Sequence, residues 1–262
     1  MPIIVYSSLD LAGVNITKQI KEKYKFQKVG EAGLPTWELS GIRLIEVDVP
    51  PPNAENLDFE TDYYIFASKH KSESKKPAFT VHAVGNWNSA DYGGKPKNIG
   101  YVYPSKMKIA LNEVKRLSEG RFDWDVTMEA THHGPDVKKP LLFVELGSTE
   151  NEWKNEEAAE IVADAIMSTI GSEHRYKTAF AIGGSHYAPS FNRLMFEKDY
   201  AVGHILPKYH IENTSFELFQ QGIEKSCEKI SRVILDWKGM NKEQRELILK
   251  YVADLGIDYE KI

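Results

Sequence analysis

The stretch PIIVYSSLDLAGVNITKQIKEKY, residues 2–24, decides the fold class of this 262-residue chain. Its first part, PIIVYSS, is a short apolar run of the kind that forms a buried strand. The second part, LDLAGVNITKQIKEKY, spaces its apolar residues as an amphipathic helix does. A strand followed directly by a helix is the repeating unit of α/β proteins, so the stretch predicts that class if the alternation continues.

The alternation continues to the last residues. Five more helices are predicted, from Pro104 to Gly120, over 150–170, over 188–199, near 214–230 and from Asn241 onward. The strands are predicted at GIRLIEVDV, DYYIFAS, AFTVHAVGN, WDVTMEATHH, LLFVELGS, KTAFAIGG, AVGHILP and RVILDW. We therefore predict one α/β domain over residues 1–262, with a mixed, largely parallel sheet and helices on both faces. Residues 50–62 and 84–104 are long excursions from the sheet, which are more often functional than idle.

Composition narrows the chemistry. The net charge is −5, and the single Cys227 excludes an internal disulfide and a cysteine-rich zinc cluster. A metal, if present, must therefore be bound by histidine and carboxylate ligands. The sequence has no apolar run long enough for a membrane span and no signal-peptide pattern at its start, so we expect a cytoplasmic protein.

Positive charge is concentrated in one part of the chain. Residues 69–108 contain eight lysines against Glu73 and Asp91, while the whole chain is acidic. Such a distribution predicts a basic face that could bind an anionic polymer. Solvated loop lysines are an equally good explanation.

Imidazole, carboxylate and small polar groups follow several predicted strands. In an open α/β sheet the ligand sits beyond the carboxyl ends of the strands. Convergence of such groups is what a zinc site or a general base requires, although each residue could instead be structural. The candidates are His82 and Asn86; Glu129, His132, His133 and Asp136; Glu145, Ser148 and Thr149; and Gly183, Gly184, Ser185, His186 and Tyr187.

The adjacent pair His132 and His133 is the most informative of these. Neighbouring side chains of a strand point to opposite faces, so the two imidazoles can share one site only if the strand ends between them. Gly134-Pro135 is a suitable terminator. Glu145 lies among apolar residues, where a lone charge is costly, and therefore needs a cation, a donor or a metal beside it.

Other catalytic motifs are absent from the sequence: it has no GxSxG, no phosphate-binding GxxxxGK[ST] and no HExxH. The residues by themselves leave three functions open. The first is a metal-dependent, aminopeptidase-like hydrolase of small esters or amides, and the second is a nucleoside phosphorylase. The third is a non-enzymatic tRNA- or RNA-binding module with structural histidines, which would purify without stoichiometric zinc.

Four separated motifs, VHAVGNW, THHGP, VELGSTENEW and AIGGSHYAP, resemble those of the archaeal and plant type of D-aminoacyl-tRNA deacylase, and the likeness extends over nearly the whole chain. The resemblance implies a three-layer α/β/α fold related to purine nucleoside phosphorylases and peptidyl-tRNA hydrolases. It also implies hydrolysis of the ester between a D-amino acid and the 3'-terminal ribose of tRNA, with zinc as cofactor. The expected partner is D-aminoacyl-tRNA, and we expect a monomer.

Roles follow for individual residues. We predict zinc ligands at His82, His132 and His186, with Glu145 as a fourth ligand or the general base. His133 would protonate the leaving ribose oxygen or orient the substrate. Substrate contacts are predicted at Asn86, Gly183, Gly184, Ser185 and Tyr187, with Trp87 or Tyr187 as candidates to stack the terminal adenine. Phosphate contacts are predicted at Lys69, Lys71, Lys75, Lys76, Lys138 and Lys139.

Overall fold

The computed structural model describes residues 1–29 and 33–262. Its strands are β1 (Ile3–Ser7), β2 (Gln27–Val29), β3 (Thr36–Leu39), β4 (Ile42–Val47), β5 (Tyr64–Lys71), β6 (Ala78–His82), β7 (Gly85–Asn86), β8 (Asn98–Ile99), β9 (Asp125–Met128), β10 (Leu141–Ser148), β11 (Lys177–Ile182), β12 (Tyr200–Leu206), β13 (Arg232–Leu235) and β14 (Tyr259–Lys261). Its helices are α1 (Leu11–Tyr24), α2 (Pro104–Ser118), α3 (Glu150–Trp153), α4 (Glu156–Gly171), α5 (Pro189–Glu197), α6 (Phe216–Glu224) and α7 (Lys242–Leu255). The predicted mixed α/β class is confirmed.

The strands form two sheets and a small ribbon rather than one sheet. The larger sheet has the order β2-β3-β4-β1-β5-β10-β6-β9, the second sheet has the order β12-β11-β13-β14, and β7 pairs with β8. In the larger sheet β4, β1, β5 and β10 are parallel, whereas β6 and β9 run in the opposite direction. The C-terminal ends of β6 and β9 therefore lie on the opposite side of the sheet, measured along the strands, from the C-terminal ends of β5 and β10.

Alternation along the central strands separates two faces of the larger sheet. Ile65 and Ala67 of β5, with Val144 and Leu146 of β10, belong to the core that contains α1, α2 and α4. The other face carries Phe66 and Phe143, whose rings stack 4.7 Å apart. Ala54, Leu57 and Val137, which come from loops, pack with these rings. The 50–62 excursion thus covers part of the second face.

The second sheet is also covered on both faces. Ala179 and Ala181 of β11 pack in the core that includes α2 and α5, while Phe180 and Ile182 face α6 and α7. Trp87, from the second excursion, is fully buried on the α6 and α7 side and stacks 6.0 Å from the Phe180 ring. The 84–104 excursion therefore reaches the second sheet.

Several predicted boundaries are wrong, for local reasons. The helix predicted over 150–170 is divided into α3 and α4 because Asn155 accepts the Ala158 N–H and caps a new helix. The Thr149–Glu152 capping box is present at the start of α3. The helix near 214–230 ends at Glu224, so Cys227 lies outside it. β9 ends at Met128, five residues before His133.

Two of the eight clustered lysines do not form a basic surface. Lys106 and Lys108, on α2, are 2% and 4% exposed. The Lys106 Nζ donates to the carbonyls of Thr169 and Ser172 at the end of α4, and the Lys108 Nζ donates to those of Met195 and Lys198 at the end of α5. A cation at a helix C terminus is stabilising, so these two residues hold helices together. Among the described residues, no helix combines the length and apolar character needed to cross a bilayer.

Candidate active site

A row of polar side chains crosses the second face of the larger sheet. Ser68 and His70 on β5, Glu145 on β10, and Thr80 and His82 on β6 replace the apolar residues of that face. The strand register places Glu145 directly between Ser68 and Thr80. The site therefore lies on the face of the sheet, along its strands, and not only at their carboxyl ends as predicted.

Glu145 is a buried, ionised carboxylate. The Ser68 hydroxyl donates to its Oε1 at 2.5 Å, and the Thr80 hydroxyl donates to its Oε2 at 3.1 Å. The His82 Nε2 and the His70 Nδ1 each lie 3.6 Å from one of its oxygens. Burial alone would raise the pKa of Glu145, but the imidazoles of His82 and His70 outweigh it and hold this pKa well below its usual range.

His70 and Glu129 complete the buried part of the site. The His70 Nδ1 lies 3.1 Å from the Glu129 Oε1. Burial opposes the charge on His70, but the two carboxylates outweigh it and raise the pKa of His70 to about 11. The register sets Gly147 opposite His70, and a Cβ at Gly147 would lie 2.2 Å from the His70 carbonyl oxygen. A side chain at position 147 would therefore collide with the backbone of His70, and glycine avoids this collision.

His82, His132 and His133 form a cluster of imidazoles. The His82 ring centroid lies 4.2 Å from that of His132 and 4.9 Å from that of His133. The pair meets on one side because β9 has already ended and because His133 has a left-handed backbone with φ of 45°. The sequence argument that the strand must end for both rings to share a site is consistent with this arrangement.

Each ring of the cluster is oriented by a backbone carbonyl. The Nδ1 atoms of His82, His132 and His133 donate to the carbonyls of Ala83, Ala130 and Gly134 at 3.1, 2.8 and 2.6 Å. Because a carbonyl only accepts, each Nδ1 carries a proton, and in a neutral ring the lone pair is therefore on Nε2. The buried His82 Nε2 has no hydrogen-bond partner. Burial and the neighbouring imidazoles lower the pKa of His132 well below its usual range and that of His133 to about 4, so both stay neutral.

This donor set fits a zinc ion. One ligand atom from each of His82, His132 and His133 lies within 4.8 Å of the others, and neutral imidazole is a preferred zinc ligand. A carbonyl bound to the second ring nitrogen is the support that metal-binding histidines commonly have. The predicted set is nevertheless divided, because His186 lies in a neighbouring group with Glu129 and His132, and Glu145 lies with His70 and Glu129.

His186 lies at the mouth of the site. Its Nε2 donates to the Glu129 Oε2 at 2.8 Å, and its Nδ1 is 3.3 Å from the Tyr209 hydroxyl. The side chain of His186 is 36% exposed, whereas that of Glu129 is 2% exposed. His186 and His132, whose side chain is 31% exposed, are therefore the members of this group that a substrate can reach.

A cleft of about 440 Å³ opens beside His70. The Tyr187 hydroxyl, on its wall, lies 3.2 Å from the His70 Nε2 and donates to the Ser72 hydroxyl at 3.0 Å. The rim of the cleft includes Lys76, which forms an ion pair with Asp125 at 3.2 Å. The remaining lining residues are Ser74, Ala78, Val126, Thr127, Ser185, Pro189 and Asn192. Two predicted substrate residues, Ser185 and Tyr187, thus border this cleft.

Other predicted substrate residues are occupied in the fold. The Gly183 N–H donates to the Leu206 carbonyl at 2.9 Å, so it is not free to bind an oxyanion. The Asn86 side chain donates to the carbonyls of Gly93 and Lys95, which holds the excursion loop. Trp87 is 1% exposed and its Nε1 donates to the Ile205 carbonyl, so it packs in the core and cannot stack a base.

Gly183 and Gly184 do have a structural reason. Their φ values are 103° and 73°, a region that other residues rarely adopt. The Gly184 carbonyl accepts the Lys208 N–H at 3.1 Å. This turn therefore ties the loop of His186 to the segment after β12.

The predicted tRNA-binding lysines form two groups. Lys69, Lys71, Lys75 and Lys76 lie at the end of β5 and in the turn after it, where the Ser148 hydroxyl at the end of β10 donates to the Lys76 carbonyl. Lys138 and Lys139 precede the start of β10. The two groups are separated by the length of β10, roughly 25 Å at about 3.3 Å per residue.

Two central residues are missing from the predicted site. Glu129 is among the candidate strand-end residues but was given no role, and His70 is not a candidate at all. A signal for His70 exists, because Phe66, Ser68 and His70 occupy every second position of DYYIFASKHK and so share one face if the strand extends to its end. Ending the predicted strand at Ser68 hides this signal.

The fold and the centre together define an α/β protein with a histidine and glutamate site on the face of its sheet. The family model described as D-aminoacyl-tRNA deacylase matches residues 57–260. The D-aminoacyl-tRNA deacylases of Pyrococcus furiosus and Archaeoglobus fulgidus are 35% and 34% identical to this chain, with 100% of it covered in both cases and 100% and 96% of the relatives. The crystal structure of the conserved protein of unknown function AF0625 is similar with a TM-score of 0.94 at 30% identity, covering 100% of this chain and 95% of that one. The chain belongs to the D-aminoacyl-tRNA deacylase family.

Proposed function

We propose that this chain hydrolyses the ester between a D-amino acid and the 3'-terminal ribose of tRNA at the histidine and glutamate centre. The observation that carries the proposal is the cluster of His82, His132 and His133 beside Glu129 and Glu145, in a chain similar over its full length to named deacylases. Neutral imidazoles next to ionised carboxylates are suited to bind a metal and to move protons in an ester hydrolysis.

Zinc is the cofactor that we propose for this centre. His82, His132 and His133 would hold it through their Nε2 atoms. His186 and Glu129 would lie close to the ion, because both are grouped with His132. Bound zinc polarises a carbonyl and lowers the pKa of water to roughly 7. The carbonyl-bound Nδ1 atoms keep all three rings in the tautomer that binding requires.

Two carboxylates then have different tasks. Glu145 has its oxygens occupied by Ser68 and Thr80, so we assign it to fixing and charge-balancing the imidazoles. Glu129 is engaged too, since its Oε1 lies 3.1 Å from the His70 Nδ1 and its Oε2 accepts from His186. Its partner His186 lies at the mouth, however, so we assign the proton of the attacking water to Glu129. His186, which donates to Glu129, is placed to protonate the ribose oxygen as the ester bond breaks. These roles replace the general base at Glu145 and the acid at His133 that we predicted.

The cleft beside Tyr187 is proposed to bind the terminal adenosine. Its wall offers the Tyr187 ring, and its rim offers Ser74 and Lys76 for the adjoining phosphate. Lys75 precedes Lys76 in the turn after β5, so a nucleotide strand leaving the cleft would pass along these two lysines. Lys69 and Lys71 alternate with His70 along β5 and so project from the other face, where the Lys69 Nζ lies 5.5 Å from the Trp153 ring. Aromatic stacking and phosphate contacts are the usual means of binding single-stranded 3' ends.

The direct test compares the decay of D-tyrosyl-tRNA and L-tyrosyl-tRNA with catalytic amounts of the protein. We expect the D-ester to be hydrolysed many times faster than in buffer, with the L-ester unchanged. A matched sample of His174→Ala, which alters an exposed histidine far along the chain from the cluster, should behave like the unmodified protein. Equal decay of both esters with and without protein would contradict the proposal.

A further inference from the structure

Tyr209 is an exposed aromatic residue in direct contact with the centre. It lies in the turn of 3-10 helix Lys208–Asn213 that follows β12. Its hydroxyl is 3.3 Å from the His186 Nδ1, and the residue is 50% exposed. Half of this tyrosine is therefore accessible to a ligand although its hydroxyl contacts the centre.

The backbone at Tyr209 is held firmly. The preceding N–H, of Lys208, donates to the Gly184 carbonyl at 3.1 Å, and the Gln244 side chain donates to the Lys208 carbonyl at 3.1 Å. The His210 ring lies 4.7 Å from the Tyr209 ring in an edge-on arrangement. These contacts hold the segment that carries Tyr209 beside His186.

An aminoacyl ester has two arms, the ribose with its nucleotide and the acyl group with its side chain. The cleft beside Tyr187 takes the nucleotide in the proposed function, because Lys76 lies on its rim and Lys75 precedes it in the same turn. Tyr209 is not among the residues that line this cleft. It contacts His186 through Nδ1, away from the Nε2 atom that binds Glu129.

We infer that Tyr209 forms the subsite for the side chain of the D-amino acid, and that its ring favours flat, aromatic side chains such as that of D-tyrosine. This inference rests on the proposed function of the same centre. Offset stacking of two aromatic rings suits a half-exposed tyrosine, whereas a methyl side chain gains little from it.

The test measures kcat/KM for D-tyrosyl-tRNA and D-alanyl-tRNA with the unmodified protein, Tyr209→Phe and Tyr209→Ala. Tyr209→Phe keeps the ring but loses the hydroxyl on His186, so it should slow both substrates by the same factor and preserve their ratio. Tyr209→Ala should lower kcat/KM for D-tyrosyl-tRNA roughly 10-fold more than for D-alanyl-tRNA, a typical loss for one aromatic contact. Tyr259→Ala, an exposed tyrosine on β14, is the matched control and should change neither.

The outcomes separate the two claims. If both variants slow both substrates equally, Tyr209 only positions His186 and the subsite is elsewhere. If Tyr209→Ala instead becomes insensitive to competition by AMP while the unmodified protein is inhibited, the ring binds adenine and the inference is overturned. If the unmodified protein hydrolyses neither D-ester, the proposed function itself has failed.

Discussion

At the scale of single residues, the centre depends on how buried charge is balanced. Glu129 and Glu145 both approach the Nδ1 of His70, whose pKa they raise to about 11 against the effect of burial. A protonated His70 cancels part of the carboxylate charge. Burial opposes a charge on His82, but the neighbouring Glu145 outweighs it and raises the pKa of His82, whereas His132 and His133 stay neutral. The ionised state of the two carboxylates and the neutral state of His132 and His133 thus depend on the same set of neighbouring charges.

His132 is the histidine that belongs to two of the candidate ligand groups, so its loss should have the largest effect among the histidines. We expect His132→Ala to lower kcat for D-tyrosyl-tRNA by roughly 100-fold or more, because a ligand and a support for Glu129 are removed together. Zinc content per chain, measured on the same preparation, should fall as well. Near-normal turnover in a folded His132→Ala protein would remove this residue from the site.

His204 predicts a pH dependence of stability that is separate from catalysis. It is fully buried, accepts the Thr131 hydroxyl at Nδ1, and has a pKa lowered by burial to about 3. Between pH 6.5 and 3 the unfolded chain therefore binds a proton that the native chain does not. The free energy of unfolding should fall in this window as the pH is lowered, at up to about 1.4 kcal/mol per pH unit from this group.

Denaturant unfolding between pH 7 and pH 4 measures this contribution. His204→Gln should show a shallower fall in the free energy of unfolding than the unmodified protein over this range. His174→Gln, at an exposed position, should keep the original slope. Identical slopes for His204→Gln and the unmodified protein would show that His204 accepts its proton in the folded state.

At the scale of elements, the register of β5, β10 and β6 positions Glu145. Ser68 and Thr80 are its cross-strand neighbours on both sides, so two hydroxyls reach one carboxylate without any distortion of the sheet. The period-two pattern of each strand could be predicted from the sequence. The pairing of β10 with β6 in the antiparallel sense could not, because neither strand contains information about its direction relative to the other.

Thr80→Val tests the importance of this register. Valine has nearly the same shape as threonine but cannot donate to the Glu145 Oε2. We expect kcat to fall about 10-fold. The free energy of unfolding should fall by roughly 1 kcal/mol because one hydrogen bond is lost. Unchanged kcat in this variant would mean that the Ser68 hydroxyl alone is sufficient to hold Glu145.

Loop contacts explain why part of the site was missed. The strand prediction that carries His132 and His133 extends to the end of WDVTMEATHH, whereas β9 stops at Met128 and the chain turns away. The left-handed backbone of His133 is a tertiary feature, because loops from Pro52 and Gly93 press closely on Gly134. Residue types at strand ends therefore identified most members of the centre but not how they are grouped.

At the scale of the whole molecule, the basic residues are less continuous than the sequence indicates. Two of the clustered lysines cap helices, and Lys95 forms an ion pair with Asp136 at 2.6 Å. The remaining candidates lie near the two ends of β10. The net charge and the excess of lysines over residues 69–108 could be predicted from the sequence. The division of these lysines into separate groups depends on the fold.

The two lysine groups should contribute differently to tRNA binding. Lys75→Gln with Lys76→Gln, at the rim of the cleft, should weaken tRNA binding and reduce the dependence of log Kd on log salt concentration by about one to two units of slope. Lys138→Gln with Lys139→Gln is the matched double variant near the other end of β10. An unchanged slope in the first variant, with a reduced slope in the second, would place the tRNA at the opposite edge.

The most direct measurement is the half-life of D-tyrosyl-tRNA and L-tyrosyl-tRNA with this protein as purified, after chelation, and after zinc is added back. The proposal predicts rapid loss of the D-ester alone, abolished by the chelator and restored by zinc. Hydrolysis of the D-ester that survives complete removal of metal would contradict a zinc centre at His82, His132 and His133. Failure to hydrolyse either ester faster than buffer would contradict the assigned reaction.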